Sequence, residues 1–296
     1  MKPYRTMLFV SGHKVGWAEK AIAAGADAVI LDLEDSVPPA EKATARITVR
    51  ETIERIAATN PRTDLWVRPN SVDSGLFGAD VEGVVTPGLA GLFLPKVFTA
   101  REVVGIEAVV GHVEAKAGVT AGTVELIISY ETPQSMAACE EIAAASPRIA
   151  ALLGATGPNA DVARSVGFEF TLEGLESLYL RSRIVLASKA NGLHHPIGGV
   201  WQDIKDLDGF RSFALDQRRL GYRGLALIHP SHIAPANEIF TPSLETVEYS
   251  RRMIEAFRQA EAQGHFAIDF EGQMIDLAHV RTAEGILEQA RALASA

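Results

Sequence analysis

Apolar residues occur along this chain in short dense runs, and longer stretches of mixed Ala-rich and charged sequence separate them. Eight runs stand out: "TMLFVSG" (6–12), "ADAVILDLED" (26–35), "DLWVRPN" (64–70), "GLFLPKV" (91–97), "VELIISYET" (124–132), "IAALLGAT" (149–156), "HHPIGGVW" (194–201) and "GLALIHP" (224–230). The intervening segments, such as "PAEKATARITVRETIERIAATN" and "LEGLESLYLRSRIVLASKA", have helical spacing. Runs that are apolar on both faces suit parallel strands covered by helices. Strand–helix alternation repeated eight times predicts an α/β protein, a (β/α)8 TIM barrel. An open doubly wound sheet is the competing arrangement, but no glycine-rich dinucleotide loop follows the first run. The barrel is expected over 1–240. Residues 241–296, with two helix-like stretches around "HFAIDFEGQMID", read as a C-terminal helical extension packing on the barrel or on a neighbouring subunit.

The runs end in polar residues. Glu34 and Asp35 follow the second, Arg68 and Asn70 the third, Lys96 the fourth and Glu131 the fifth. Asp161 lies just beyond the sixth, and His229 follows the eighth. In a barrel all these ends gather at the C-terminal face, where active sites sit. A carboxylate at the end of a buried strand is costly unless it is paired or binds a metal. Glu131 and Asp161 come from adjacent strand ends and fit two ligands of one hard cation. Oxygen donors in small number suit Mg²⁺, with Mn²⁺ an alternative, the remaining positions going to water and substrate. Taken singly, each group has a plainer reading: Glu34 and Asp35 as caps of the helix near Pro39, Arg68 as a structural ion pair, Lys96 as a solvated side chain. His194 and His195 are adjacent, which is not a zinc spacing. "GATGPNAD" lacks the Lys-Ser/Thr ending of a phosphate loop.

Composition narrows the classes. A net charge of −9, from 28 basic and 37 acidic residues, argues against a nucleic-acid-binding protein, which needs a basic face. With 47% hydrophobic and 22% charged residues the chain is not of disordered composition. No apolar run approaches a membrane span and the N-terminus does not look like a signal peptide, so a cytoplasmic protein is expected. The single cysteine, Cys139, sits in helix-like "SMAACEEIAAA" and reads as a packed small residue.

The segments "RTMLFVSGHK", "GADAVILDLEDSVPPAEK", "WVRPN", "LPKV", "ETPQS", "ADVARSVG", "GYRGLALIHPSHIAPANEIFTPS" and "FEGQMID", in order over almost the whole chain, resemble the citrate lyase β-subunit-like branch of the HpcH/HpaI aldolase superfamily. The resemblance implies a TIM barrel and a homo-oligomer, trimer or hexamer. It implies a Mg²⁺-dependent carbon–carbon lyase, of malyl-CoA or citramalyl-CoA lyase type, whose small-molecule partners are a 2-oxo acid and a coenzyme A thioester. It places the metal ligands on Glu131 and Asp161, and substrate-binding roles on Arg68, Arg5, Glu34 and Lys96, with Arg68 also catalytic. It makes Asp276, in "G-x-M-I-D", a catalytic acid/base supplied by a neighbouring subunit; the plainer reading is that Asp276 caps the last helix, Thr282 being another available cap. A thioesterase on the same scaffold and a catalytically silent subunit are the alternatives. Three departures from the family pattern bear on substrate: the longer "GATGPNAD", Gly198-Gly199 where relatives often read "DG", and "SYETPQS" around Glu131.

Overall fold

The computed structural model describes residues 2–60 and 62–295. The eight apolar runs form eight parallel strands: β1 (Thr6–Ser11), β2 (Ala28–Asp32), β3 (Asp64–Arg68), β4 (Leu89–Leu94), β5 (Glu125–Tyr130), β6 (Ile149–Ala155), β7 (Ile197–Gly199) and β8 (Gly224–Leu227). They close into a barrel in sequence order, β8 pairing back onto β1 through Thr6↔Leu225 to Leu8↔Leu227. Helices α1 (Trp17–Ala23), α2 (Lys42–Thr59), α3 (Phe77–Val84), α4 (Ala100–Ala117), α5 (Pro133–Ala137), α6 (Cys139–Ala143), α7 (Asp161–Val166), α8 (Leu178–Ala190), α9 (Leu207–Leu220) and α10 (Ile233–Phe240) follow the strands in turn. The TIM-barrel expectation therefore holds. Strand β4 begins at Leu89, two residues before its predicted run, and β7 is only three residues long.

Alternation along each strand fills the barrel. Met7 on β1, Ala28 and Ile30 on β2, Trp66 on β3, Phe93 on β4, Ile127 on β5, Leu153 on β6 and Ala226 on β8 belong to one buried cluster. Large and small residues share that space. A Cβ on Gly91 would stand 2.4 Å from the Trp66 ring and 2.3 Å from the Glu125 carbonyl, so the tryptophan requires glycine there. Cys139 is buried and its thiol is pushed up to about 11 by burial and by Glu140, the behaviour of a packed residue.

The chain divides into two compact units, Pro3–Glu238 and Ile239–Ala296. The second contains α11 (Leu244–Glu261), an antiparallel hairpin of β9 (Ala267–Phe270) and β10 (Gln273–Asp276), and α12 (Leu277–Ser295). Its core joins Met253, Ile254 and Phe257 of α11 to Ile275 of β10 and Val280, Ala283 and Leu287 of α12. The extension is thus not purely helical. "FEGQ" makes the hairpin turn, with Glu271 at φ 52° and Gly272 at φ 79°, the left-handed pair that a two-residue hairpin turn demands.

Candidate active site

The parity that packs the barrel also builds its mouth. Two residues beyond Ile30 on β2 comes Asp32, and two beyond Trp66 on β3 comes Arg68. Beyond Ile127 on β5 come Ser129 and then Glu131. Side chains of a strand face one way at every second position, so each polar group continues an inward-facing series. A cavity of about 450 Å³ opens at these strand ends, and Asp32, Arg68, Ser129, Glu131 and Asp161 line it. The rest of its lining mixes apolar Phe9, Phe93, Leu153, Ala155, Val200 and Ile228 with polar Ser11, Asp35, Ser36, Asn159 and Gln202.

Arg68 is fixed on three sides. Its Nε and Nη2 donate to Asp32 Oδ1 and Oδ2 at 2.6 and 2.8 Å, the bidentate fork. Nη1 lies 3.2 Å from Glu34 Oε2, and the guanidinium stands 4.8 Å over the Phe9 ring. Burial works against its charge, but the Asp32 hydrogen bonds, then the charges of Asp32, Glu34 and Glu131, hold it protonated far above the usual range. Burial likewise opposes the Asp32 charge, and Arg68 more than compensates, holding that carboxyl below its ordinary value.

Glu131 is 8% exposed. Its Oε1 accepts the Lys96 backbone N–H at 2.8 Å and its Oε2 accepts the Ser129 hydroxyl at 3.1 Å. Burial, then the nearby Glu34 charge, pushes its pKa up to about 7, against the opposing pull of Arg68. Lys96 reaches this geometry through a left-handed backbone at φ 47°, unusual for a non-glycine residue. That turn aims its N–H at Glu131 while its Nζ donates to Glu34 Oε1 at 2.7 Å. Burial raises the Glu34 pKa against Arg68 and Lys96. Glu34 and Lys96 are brought to the site and brace Arg68 and Glu131. Asp35 is largely exposed, 3.8 Å from Lys96 Nζ, and neither acid caps α2.

Asp161 is the first residue of α7, at the end of the loop that follows β6. A Cβ on Gly157 would lie 1.8 Å from the Val200 carbonyl, so only glycine lets this loop cross close over the end of β7 and bring Asp161 to the mouth. The Asp161 carboxylate is paired with the exposed Arg164 one turn along the helix. No cluster of three or more His, Cys, Asp or Glu side chains suited to a metal occurs among the described residues. Two carboxylates on one cavity fit Mg²⁺, which takes few protein oxygens and keeps the rest for water and substrate. Each Glu131 oxygen accepts a single hydrogen bond here, which leaves lone pairs for a cation.

Arg5 is a correction. It precedes β1, so it stands at the N-terminal end of the barrel, opposite the cavity. There Nε and Nη2 donate to Asp27 Oδ2 and Oδ1 at 2.9 and 2.6 Å. A residue before a strand and a residue after one reach opposite mouths of the barrel, and a substrate-binding role for Arg5 does not survive. His194 and His195 precede β7 and share that end. Asp276 belongs to the second unit. Its Oδ1 accepts the Ala278 N–H at 3.0 Å and pairs with His279 Nδ1 at 2.7 Å, so it caps α12, and Thr282 is not the cap. Its carboxylate is 43% exposed and is held below its ordinary pKa chiefly by His279. The sequence reading missed Asp32, Ser129 and Phe9. The first two were legible as inward positions of strands whose Glu34 and Glu131 had been noticed.

Comparison with known proteins agrees with this geometry. The HpcH/HpaI aldolase/citrate lyase family model matches residues 5–230. The chain is 35% identical over 315 residues to the L-malyl-CoA/beta-methylmalyl-CoA lyase of Cereibacter sphaeroides (strain ATCC 17025 / ATH 2.4.3), covering 99% of this chain and 96% of that protein. It is 31% identical to the (3S)-malyl-CoA thioesterase of Cereibacter sphaeroides (strain ATCC 17023), covering 99% and 96%. Among solved structures, protein CitE from Mycobacterium tuberculosis in complex with magnesium, acetoacetate and coenzyme A matches with a TM-score of 0.75 at 29% identity, over 98% of each chain.

Proposed function

This chain belongs to the HpcH/HpaI aldolase/citrate lyase family and is a carbon–carbon lyase of that family; on that premise we propose that it cleaves, or in reverse forms, a 3-hydroxy-3-carboxyacyl-CoA thioester of the malyl-CoA or citramalyl-CoA type, giving a 2-oxo acid and an acyl-CoA. The observation that carries the reading is the convergence of Glu131, Asp161 and Arg68 on one cavity at the C-terminal mouth of the barrel. Glu131 and Asp161 would hold Mg²⁺, with Mn²⁺ an alternative, and the ion when bound supplies Lewis-acid polarisation of the substrate oxygens and a template for them. Arg68 directs the donors that Asp32 does not use at the oxygen on which charge develops as the C–C bond breaks. Because Asp32 fixes the guanidinium beforehand, that stabilisation costs no reorganisation during the reaction. Lys96, with Glu34 behind it, adds a second cation at the rim and a substrate contact. The apolar part of the lining, Phe9, Phe93, Leu153 and Val200, limits the access of water to the leaving thioester enolate. Asp276, supplied by a neighbouring subunit of a homo-oligomer (a trimer or hexamer) in the cytoplasm, is the acid/base: as a carboxylate it takes the 3-hydroxyl proton as the C–C bond breaks and passes that proton to the α-carbon of the enolate.

The charge balance of the cavity narrows the 2-oxo acid. Arg68 is the one basic side chain among its lining residues, and Asp32 already engages it. A 2-oxo acid with one carboxylate has partners in a cation and Arg68. Inside the cavity a second carboxylate would find no further cation, only neutral donors such as Asn159 and Gln202, with Lys96 outside at the rim, and a buried carboxylate without a charged partner is disfavoured. Glyoxylate or pyruvate is therefore the expected product rather than oxaloacetate. A thioesterase is the second reading, favoured by the similarity to the malyl-CoA thioesterase. A silent subunit would not be expected to keep Glu131, Asp161 and Arg68 together. The test is a panel of malyl-, citramalyl- and citryl-CoA with Mg²⁺ or EDTA. Metal-dependent release of glyoxylate or pyruvate supports the proposal, and free thiol without a 2-oxo acid replaces it with the thioesterase.

A further inference from the structure

Behind the cavity lies a second layer of polar groups that does not touch it. Lys42, the first residue of α2, folds back over its own N-terminus. Its Nζ donates to the carbonyls of Leu33 and Glu34 at 2.8 and 2.9 Å and to Asn70 Oδ1 at 2.6 Å. An ammonium has three donors, and here each has an acceptor. Asn70 in turn donates from Nδ2 to the Leu33 carbonyl at 3.0 Å and to Asp80 Oδ2 at 2.6 Å, and its backbone N–H reaches Asp80 Oδ2 at 2.7 Å. The other oxygen of Asp80, a fully buried carboxylate on α3, accepts Arg46 Nε at 2.6 Å.

The chain Lys42–Asn70–Asp80–Arg46 therefore ties α2 and α3 to two short segments, the turn after β2 and the turn after β3. Those turns hold Glu34 and follow Arg68. Leu33 N–H donates to the Arg68 carbonyl at 2.9 Å, closing the same knot from the front. Surface loops of this kind are ordinarily the mobile parts of a barrel. Here the backbone carbonyls of Leu33 and Glu34 are pinned by one half-buried cation, and Glu34 is the group that faces both Arg68 and Lys96.

We propose that Lys42 is a positioning residue of the active site: by holding the Leu33 and Glu34 carbonyls against Asn70, it sets the place of Glu34 and so the direction of the Arg68 donors. Lys42 itself touches no reacting atom. The proposal rests on the lyase reading only for the choice of ligand in its assay. Glu131 and Asp161 take no hydrogen bond from this network, and Glu34 reaches Glu131 only by its charge and through Lys96, so the metal site should respond much less than the Arg68 donors. Supports of this kind matter because active groups work within about 0.5 Å of their productive place.

Lys42→Met keeps the aliphatic stem and removes the three donors. Thermal unfolding first establishes that the variant is folded. Calorimetry with Mg²⁺ alone should give a dissociation constant within about threefold of the parent. With Mg²⁺ saturating, pyruvate or glyoxylate should bind at least about tenfold more weakly, one pair of well-aimed charged hydrogen bonds being worth that factor or more. Lys42→Arg keeps the charge without three converging donors and should rescue only in part. Unchanged 2-oxo acid binding in Lys42→Met overturns the proposal, as does parallel loss of Mg²⁺ and 2-oxo acid binding, which marks a merely structural residue. If the parent binds no 2-oxo acid, the lyase reading fails, and a crystal structure of the variant still decides the positioning role. Glu34 displaced from Arg68 and Lys96 supports it, and the three side chains within about 0.5 Å of their present places overturn it.

Discussion

Glu131→Gln converts the buried acid of the site into a neutral side chain of the same shape, and its effect on stability should depend on pH. Burial and Glu34 raise the Glu131 pKa from the ordinary 4.5 to about 7. A raised carboxyl pKa means that the folded state binds the proton more tightly than the unfolded chain. The stability from that proton is fully present below about pH 4.5 and is lost as pH rises through about 7. A rise of this size is worth about 3 kcal/mol. Two histidines act in the opposite sense: desolvation lowers the pKa of half-buried His195 to about 4 and lowers that of buried His232. Each loses stability as pH falls below the ordinary histidine value, so the parent protein alone shows a blurred profile. The informative quantity is the difference between parent and Glu131→Gln in EDTA, by denaturant or thermal unfolding at pH 5, 6, 7 and 8. The variant should gain about 2.5 kcal/mol relative to the parent between pH 5 and pH 8, roughly 5–8 °C in Tm. Added Mg²⁺ should restore the parent at pH 8 and leave Glu131→Gln unmoved. A parent–variant difference that stays flat from pH 5 to 8 refutes the electrostatic account of this site.

Arg68→Lys keeps the charge but loses the bidentate grip on Asp32, and kcat/KM should fall about a hundredfold or more, with Tm also lowered because buried Asp32 loses a partner; near-normal kcat/KM removes Arg68 from the mechanism. Arg164 competes with a cation for Asp161 through an exposed ion pair, so Arg164→Gln should tighten Mg²⁺ binding by roughly two- to fivefold in calorimetry at low salt, the pair being worth about 0.2–1 kcal/mol; weaker binding contradicts the placement of Asp161. Mixing inactive Asp276→Ala with inactive Glu131→Ala should restore activity, because mixed assemblies contain sites with both groups intact; demonstrated subunit exchange without activity rejects the supply of Asp276 from a neighbour.

The barrel was legible because its signal is redundant. Eight runs such as "TMLFVSG" and "VELIISYET" each match a strand to within a few residues, and parity along β3 and β5 carries Arg68 and Glu131 to the mouth. Arg5 was assigned to the site by resemblance alone, whereas its place at the start of β1 puts it at the N-terminal mouth of the barrel. Asp32 is hard to single out because "LDLEDS" offers three acids in four positions, and only the fold separates the buried Asp32 at the end of β2 from the exposed Asp35 at the edge of the cavity. Lys42 and Asp80 were not legible at all. Their partners are backbone carbonyls and an asparagine brought close by the packing of α2 and α3, and no spacing along the chain encodes that meeting. The hairpin after α11 carries little sequence signal, since "FEGQ" lacks the Asn-Gly or Asp-Gly pair that marks such turns.

The central claim is that the Glu131–Asp161–Arg68 mouth breaks a carbon–carbon bond. The most direct measurement is the stoichiometry of products from malyl-CoA in one Mg²⁺-containing reaction, following 2-oxo acid, acyl-CoA and free thiol together. The account predicts glyoxylate and acetyl-CoA in equal amounts, no matching thiol, and loss of both products in EDTA and in Glu131→Ala. Thiol released with malate, in the absence of glyoxylate, contradicts it.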